Sequence, residues 1–194
     1  MKKKIKLEEI LTFMSGSPQF RIQENNIEKA PVYICYNQID LMDDLYQTIS
    51  EGNEKREVCT FDELNLLQEG DVVFSLISGM TSMVQKEHEG YLFTQNYIKL
   101  IPKKTMDKKF LVYLLNESSM IRKQFQENLQ GSFVLKYTIR QLKNLQLSKL
   151  PDLTIQKRIG DIYFKQLKKE GLKRRVAELE TKLVLEYIKE AMKG

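Results

Sequence analysis

Apolar residues in the first 150 positions come in short clusters separated by turn-forming residues, whereas after Pro151 they recur every three or four positions. The opening cluster of Ile5, Leu7, Ile10 and Leu11 is mixed in period and runs into Ser15-Gly16-Ser17-Pro18, whose composition predicts a loop. Residues 31–36 are rich in β-branched and aromatic side chains and predict a strand, and residues 38–49 predict a helix closed by an exposed turn over 51–56. Gly70-Asp71 introduces Val72-Val73-Phe74-Ser75-Leu76-Ile77, and a nearly continuous apolar run of this length fits a central strand buried on both faces. Ser78-Gly79 stops it. Another strand is expected within 91–101, ended by Pro102, and then a helix over 108–129 with Phe110, Tyr113, Leu114 and Ile121 at helical spacing. Gln130-Gly131-Ser132 breaks that helix, and residues 138–147 alternate ambiguously up to Leu150-Pro151.

From Thr154 to Met192 there is no proline, so one long helix is the natural reading, with Thr154 able to cap it. Leu172, Val176, Leu179 and Leu183 follow one another in steps of four, three and four, the a/d spacing of a coiled coil. At about 1.5 Å per residue the helix would be roughly 55–60 Å long, more than one small domain can cover, so it calls for a partner. Gly160 and Gly171 each cost about 1 kcal/mol relative to alanine, which leaves a bend or two shorter helices open. The expected dimer or partner interface is Ile159, Ile162, Leu172, Val176, Leu179, Leu183 and Ile188. The fold class expected is α+β: a mixed-sheet domain over 1–152, then a long coiled-coil-forming helix over 153–194.

Charge sharpens this division. The net charge of +5 conceals 10 Lys and Arg against 16 Asp and Glu in residues 1–100, and 21 against 10 in residues 101–194. A basic half is expected where one part meets a polyanion, because lysines and arginines at phosphates release condensed counterions; a solvated charged face would explain it too. No apolar stretch approaches the ~20 residues of a membrane span. Glu8 and Glu9 interrupt the apolar core a signal peptide would need after the lysines of residues 2–6, so export is not expected. Cys35 and Cys59 form neither a CxxC pair nor a disulfide framework, which fits a reducing cytoplasm.

Catalytic patterns are missing. His88 is the only histidine, and Lys86, Glu87 and Glu89 around it predict an exposed loop. There is no GxGxxG, no GxxxxGK[ST] phosphate loop and no cluster of metal-ligand spacing, so no cofactor and no metal are expected. Asp152, Glu180 and Lys182 imitate the carboxylates and lysine of a nuclease, but Glu180 and Lys182 lie in the heptad-like run, where solvated charges belong.

The order of the segments resembles the specificity subunit of type I restriction-modification systems, in the form of one target-recognition domain followed by one spacer helix. The resemblance is carried by Ile5-Lys6-Leu7-Glu8-Glu9-Ile10, by Leu67-Gln68-Glu69-Gly70-Asp71-Val72-Val73-Phe74-Ser75, and by Gln95-Asn96-Tyr97-Ile98-Lys99-Leu100-Ile101-Pro102. Tyr113-Leu114-Leu115-Asn116, Gln130-Gly131-Ser132, Leu150-Pro151 and Gln156-Lys157-Arg158-Ile159 continue it. The early loop lacks the family's usual glycine-threonine-proline form, and Leu150-Pro151-Asp152-Leu153 lacks a second proline often seen there. Such subunits usually hold two recognition domains and two spacer helices, so the chain looks like a half-subunit. The resemblance implies a non-enzymatic protein that chooses the double-stranded DNA site for a methyltransferase subunit and a restriction subunit, with pairing of two copies as a homodimer.

Recognition is expected on polar loops of the first 150 residues, which offer donors to base edges and phosphates. The candidates are Ser15, Ser17, Ser78, Thr81, Ser82, Gln130, Ser132, Lys136 and Arg140, with Gly16, Gly79 and Gly131 allowing close backbone approach. Ordinary turn chemistry explains the same residues. Two rival readings remain at the level of sequence: a DNA-binding regulator unrelated to restriction-modification, for which the long helix has no evident use, and a coiled-coil oligomerisation protein, for which the apolar seam alone suffices.

Overall fold

The computed structural model describes residues 4–25, 30–129 and 137–193. Its elements run β1 (Ile5–Lys6), α1 (Leu7–Ile10), β2 (Leu11–Ser15), β3 (Val32–Ile34), α2 (Gln38–Tyr46), β4 (Glu57–Cys59), β5 (Val72–Ser75), β6 (Thr81–Met83), β7 (Tyr97–Pro102), α3 (Lys108–Glu117), α4 (Ser119–Leu129), α5 (Ile139–Asn144), β8 (Gln146–Leu147) and α6 (Leu153–Ala191). The class is α+β with a long C-terminal helix. A four-stranded sheet in the order β2-β7-β5-β6 forms the frame, and the pairs β1-β8 and β3-β4 stand beside it. All these ladders are antiparallel; among the described residues parallel pairing is confined to the isolated bridges Ser17–Thr94 and Cys35–Leu92.

Of the apolar run at 72–77, Val72–Ser75 form an inner, fully buried strand, while Leu76 and Ile77 pass into the following turn, where Ile77 is exposed. Successive side chains of a strand point to opposite faces, so Val72 and Phe74 enter the larger core with Leu111, Leu115, Ile121 and Phe125, while Val73 joins Tyr36, Leu41 and Leu67 on the other face. The helix expected over 108–129 divides in two, because Ser118 takes an extended conformation (φ −66°, ψ 114°) and lets α4 turn so that Phe125 stacks near Phe74 with ring centres 5.9 Å apart. The helix expected to reach residue 49 ends at Tyr46, where Gln47 adopts a left-handed conformation with φ 54°.

Strand β6 lies at the sheet edge, where its backbone groups lack a strand partner. Asn116 of α3 supplies one: its side chain accepts from Thr81 N at 2.9 Å and donates to Thr81 O at 2.8 Å. A buried amide thus completes the hydrogen bonding of an edge strand and anchors α3 to it.

Helix α6 is continuous over 39 residues, and its glycines are contact points instead of breaks. A Cβ on Gly160 would sit 2.6 Å from Lys109 Cβ and 2.8 Å from Phe110 N; one on Gly171 would sit 2.6 Å from Tyr46 O. The helix lies that close to α3 and to the end of α2, with Phe164 and Leu167 buried between. Gln156, 1% exposed, holds the start: it accepts from Asp107 N and donates to Thr105 O and Pro151 O. The N-cap is Asp152, without a side-chain hydrogen bond, and not Thr154.

Candidate nucleic-acid interface and helix seam

Strands β2 and β5 end, and β6 and β7 begin, at the same end of the sheet, because Ser15 pairs with Ile98, Phe74 with Thr81 and Ser75 with Tyr97. Their connections therefore meet there. Gly16 N donates to Tyr97 O and Ser17 N to Phe93 O; Asn65 donates through its side chain to Ser15 O and through its backbone to Ser17 Oγ; Leu76 N donates to Asn96 O. The result is one hydrogen-bonded loop surface carrying exposed Ser15, Asn65, Ile77, Ser78 and Gln95.

The expected contact residues separate into four groups. Ser15, Ser78 and Arg140 are exposed, the first two on this surface and Arg140 on α5, where the neighbouring Lys143 reaches over the Phe13 ring of β2. Gly79 (φ +71°) belongs to the β5-β6 turn and faces the Tyr137 ring. Gly16, Ser17, Thr81 and Ser82 face inward, which corrects their expected role. A Cβ on Gly16 would fall 2.2 Å from Thr94 O, so its smallness serves loop packing; Ser17 Oγ is taken by Asn65 N, Thr81 is fully buried beside Asn116, and Ser82 Oγ lies 3.3 Å from Tyr36 Oη. Gln130, Gly131, Ser132 and Lys136 lie outside the described residues. Sequence reasoning passed over Asn65 and Gln95, and also Phe20, 77% exposed with the Arg21 guanidinium 5.5 Å from its ring centre. An aromatic next to an arginine in a proline-led loop was the available signal for the last.

Beneath the loops lies a buried polar cluster. His88 is buried, not in an exposed loop: its Nδ1 lies 2.7 Å from Asp44 and its Nε2 3.4 Å from Asp40, which also pairs with Lys55. Tyr36 donates to the other oxygen of Asp44 at 2.6 Å, and Gln38 donates to Ser75 Oγ and Tyr97 Oη. Burial alone would lower the His88 pKa, but the Asp44 hydrogen bond and the charges of Asp44 and Asp40 outweigh it and raise the value. Burial raises the Tyr36 hydroxyl well above its ordinary value, helped by Asp44, and pushes Tyr97 up to about 12. Through His88 and Lys55 the two carboxylates tie α2 to the 86–88 turn and the loop before β4. Among the described residues no group of three His, Cys, Asp or Glu side chains is placed to hold a metal ion.

Helix α6 turns Gln156, Gly160, Phe164, Leu167 and Gly171 to the domain and continues along it through charged contacts. Lys109 donates to Asp161 at 2.6 Å, the Arg174 guanidinium sits 4.2 Å from the Tyr46 ring centre, and Glu51 accepts from Arg175 and Lys182, which hold its carboxyl below the ordinary range. Leu172, Val176, Leu179 and Leu183 point the opposite way and are each about half exposed. Two seam positions need correction. Ile159 packs against the domain core, and Ile188, nine residues beyond Leu179, lies two and a half turns on and so on the opposite side of the helix. No helix among the described residues is long and apolar enough to cross a membrane.

A family model described as type I restriction modification DNA specificity domain matches residues 2–181. No curated protein matches the chain. Among solved structures, the HsdS subunit from Thermoanaerobacter tengcongensis superposes with a TM-score of 0.55 at 19% identity, over 97% of this chain and 43% of that one. The S subunit of a type I restriction-modification system from M. genitalium gives 0.51 at 16% identity, over 90% and 43%. A chain from a structural study of assembly and conformational transition of the type I R-M system gives 0.60 at 20% identity, over 97% and 44%. These identities establish likeness of fold, and the present chain spans less than half the length of each of these chains.

Proposed function

Because the chain belongs to the family of type I restriction-modification DNA specificity domains, we propose that it selects the DNA sequence at which methyltransferase and restriction subunits act, and performs no chemistry of its own. The match over residues 2–181 carries this reading, since it takes in the sheet domain and most of α6 together. Residues 1–152 are assigned to target recognition through the loop surface around Ser15, Asn65, Ser78 and Gln95, with Arg140 a phosphate contact. Residues 153–194 are assigned to a spacer helix that docks the methyltransferase subunit and pairs with a second copy, in the cytoplasm.

Two copies joined antiparallel through their outward α6 faces would carry one recognition domain at each end. By symmetry they would read inverted half-sites separated by a spacer that helix length fixes. Burying the exposed parts of Leu172, Val176, Leu179 and Leu183 from both copies contributes on the order of 8 kcal/mol gross. Association costs roughly 4–15 kcal/mol, so the apolar centre is no more than sufficient and flanking contacts matter.

A gel shift with a random duplex library, with and without a type I methyltransferase subunit, tests the proposal. Enrichment of a bipartite sequence is expected, and a chain that enriches no sequence in either condition sinks it. DNA incubated with the chain, magnesium, a methyl donor and ATP should come back unaltered; cleavage or methylation that survives repurification would overturn the non-enzymatic reading. Sedimentation should show a dimer that Leu179→Asp converts to monomer.

A further inference from the structure

The outward face of α6 carries more than its four apolar residues. Starting at Lys165, the positions Lys165, Lys169, Leu172, Val176, Leu179, Leu183, Glu186 and Glu190 follow in strictly alternating steps of four and three. All eight are exposed; Lys165, Lys169, Leu172, Val176, Leu183 and Glu190 lie on the side away from Gly160, Phe164 and Gly171, which face the domain, while Leu179 and Glu186 sit nearer the edge of that face, as the slow drift of a heptad seam around a straight helix requires. The seam is therefore lysine at its domain-proximal end, apolar in the middle and glutamate at its distal end. The helix as a whole follows the same gradient: residues 157–175 hold eight basic and two acidic side chains, and residues 176–193 hold three and four.

We infer that this gradient is a register code for a second copy of the chain, setting Lys165 against Glu190 and Lys169 against Glu186 of the other copy, in an antiparallel pair centred between Ala177 and Glu178. The inference rests on the antiparallel pairing of two copies proposed above and adds its register. About that centre Leu172 meets Leu183, Val176 meets Leu179, and Lys165 and Lys169 meet glutamates, each contact occurring twice by symmetry; Ile162 and Lys193, which continue the same alternation by one step, meet at the solvent-exposed ends of the overlap. The overlap of about 25 residues is roughly 38 Å long. Sliding the pair by one heptad in either direction sets Lys169 on Leu179, or Glu186 on Val176, and so desolvates a charge against an apolar side chain. A parallel pair sets Lys165 on Lys165, Lys169 on Lys169, and each glutamate on its own copy. Charged residues at a and d positions cost stability but select register and orientation.

The neighbouring positions favour this arrangement on one flank. Lys173 flanks the seam on the side where Glu180 of the second copy would lie. The other flank sets Arg175 against Lys182 and Lys168 against Lys189 of the second copy; Arg175 and Lys182 are engaged by Glu51 of their own domain, whereas the Lys168–Lys189 contact at the ends of the overlap works against the pair. In the single chain Glu186 pairs with Lys189 one turn on, at 2.8 Å and with both side chains more than half exposed, a contact cheap enough to exchange.

The test is a charge-reversal cycle on the full chain, read as the dimer dissociation constant by sedimentation equilibrium. Lys169→Glu and Glu186→Lys each turn two attractive contacts into two repulsive ones and should weaken the dimer by roughly tenfold to hundredfold. The double variant Lys169→Glu with Glu186→Lys should return to within about threefold of the wild type. The mismatched double variant Lys169→Glu with Glu190→Lys should be weaker than either single variant. All positions are exposed, and unchanged thermal melting of the recognition domain confirms that folding is intact. A wild-type dimer whose affinity the four variants change alike, or not at all, overturns the register code while leaving the dimer standing. A wild-type chain that stays monomeric, alone or until a methyltransferase subunit occupies the face, overturns both.

Discussion

If Gly160 is the point where α6 touches α3, replacing it by alanine should have the opposite sign from the same change on a free helix. On a solvent-exposed helix Gly→Ala stabilises by about 1 kcal/mol, through backbone entropy. Here the new Cβ would lie 2.6 Å from Lys109 Cβ, where carbon atoms prefer roughly 3.5–4.0 Å. Two of its three nearest atoms, Phe110 N and Lys109 C, are backbone of α3 and cannot rotate aside. Relief needs α6 to move outward by about 1 Å, which loosens Phe164 and Leu167 below it. Overpacking of this kind costs about 1–3 kcal/mol, and the shift adds lost burial, so the clash outweighs the propensity gain by about 1–2 kcal/mol. The expected fall in melting temperature is roughly 2–4 °C per kcal/mol for a chain of this size. Gly171→Ala, against Tyr46 O and Thr48 Cγ2, should behave alike, whereas Ala177→Gly on the exposed stretch should cost only the propensity term. The assay is thermal and urea unfolding by circular dichroism at one protein concentration. A melting temperature that rises in Gly160→Ala would mean that the glycine is a tolerated defect of the helix and not its seat, and the fixed direction of α6 from the recognition domain would go with it.

Asn116→Leu should destabilise by about 2–4 kcal/mol, measured by urea unfolding, because it leaves the N–H and C=O of Thr81 buried without a partner; a loss below 0.5 kcal/mol, as an order-of-magnitude threshold, would show that water replaces the amide freely. The raised His88 pKa makes stability pH-dependent: the imidazolium contribution is fully present below the ordinary value of 6.5 and is lost as pH rises through the raised value, so unfolding midpoints should fall as pH rises from 6.5 through that value. His88→Asn should flatten that slope, and a midpoint that instead climbs with pH contradicts the assignment. Arg140→Ala should weaken DNA binding to all sequences about equally and reduce the slope of log affinity against log salt by about 1. Loss confined to one base position would make Arg140 a base reader and not a phosphate contact.

Much of the architecture was legible in residues close together along the chain. The apolar run at 72–77 calls for burial on both faces, and the period of residues 153–191 calls for a helix, so strand β5 and helix α6 followed from local pattern, although the strand stops at Ser75 and leaves Ile77 exposed. The outward seam of Leu172, Val176, Leu179 and Leu183 was equally readable, because four residues at heptad spacing share a face wherever the helix sits. The order of segments pointed to the family for the same reason: it is a property of the chain itself. What the sequence could not disclose are the places where distant segments meet. The short strands β1 and β8 exist only because Ile5 reaches Leu147, and β6 is completed by an asparagine 35 residues later. Ser17, Thr81 and Ser82 look like loop donors until packing buries them, and His88 looks exposed until Asp40 and Asp44, more than forty residues before it, close around its ring. Gly160 and Gly171 read as weak points of a helix, yet against Phe110 and Tyr46 their missing side chains are what admits it to the domain. Periodicity determines which way a side chain points within its own element, and only the tertiary structure determines what stands opposite it, because burial and hydrogen bonding are decided by atoms that the chain brings together from far apart.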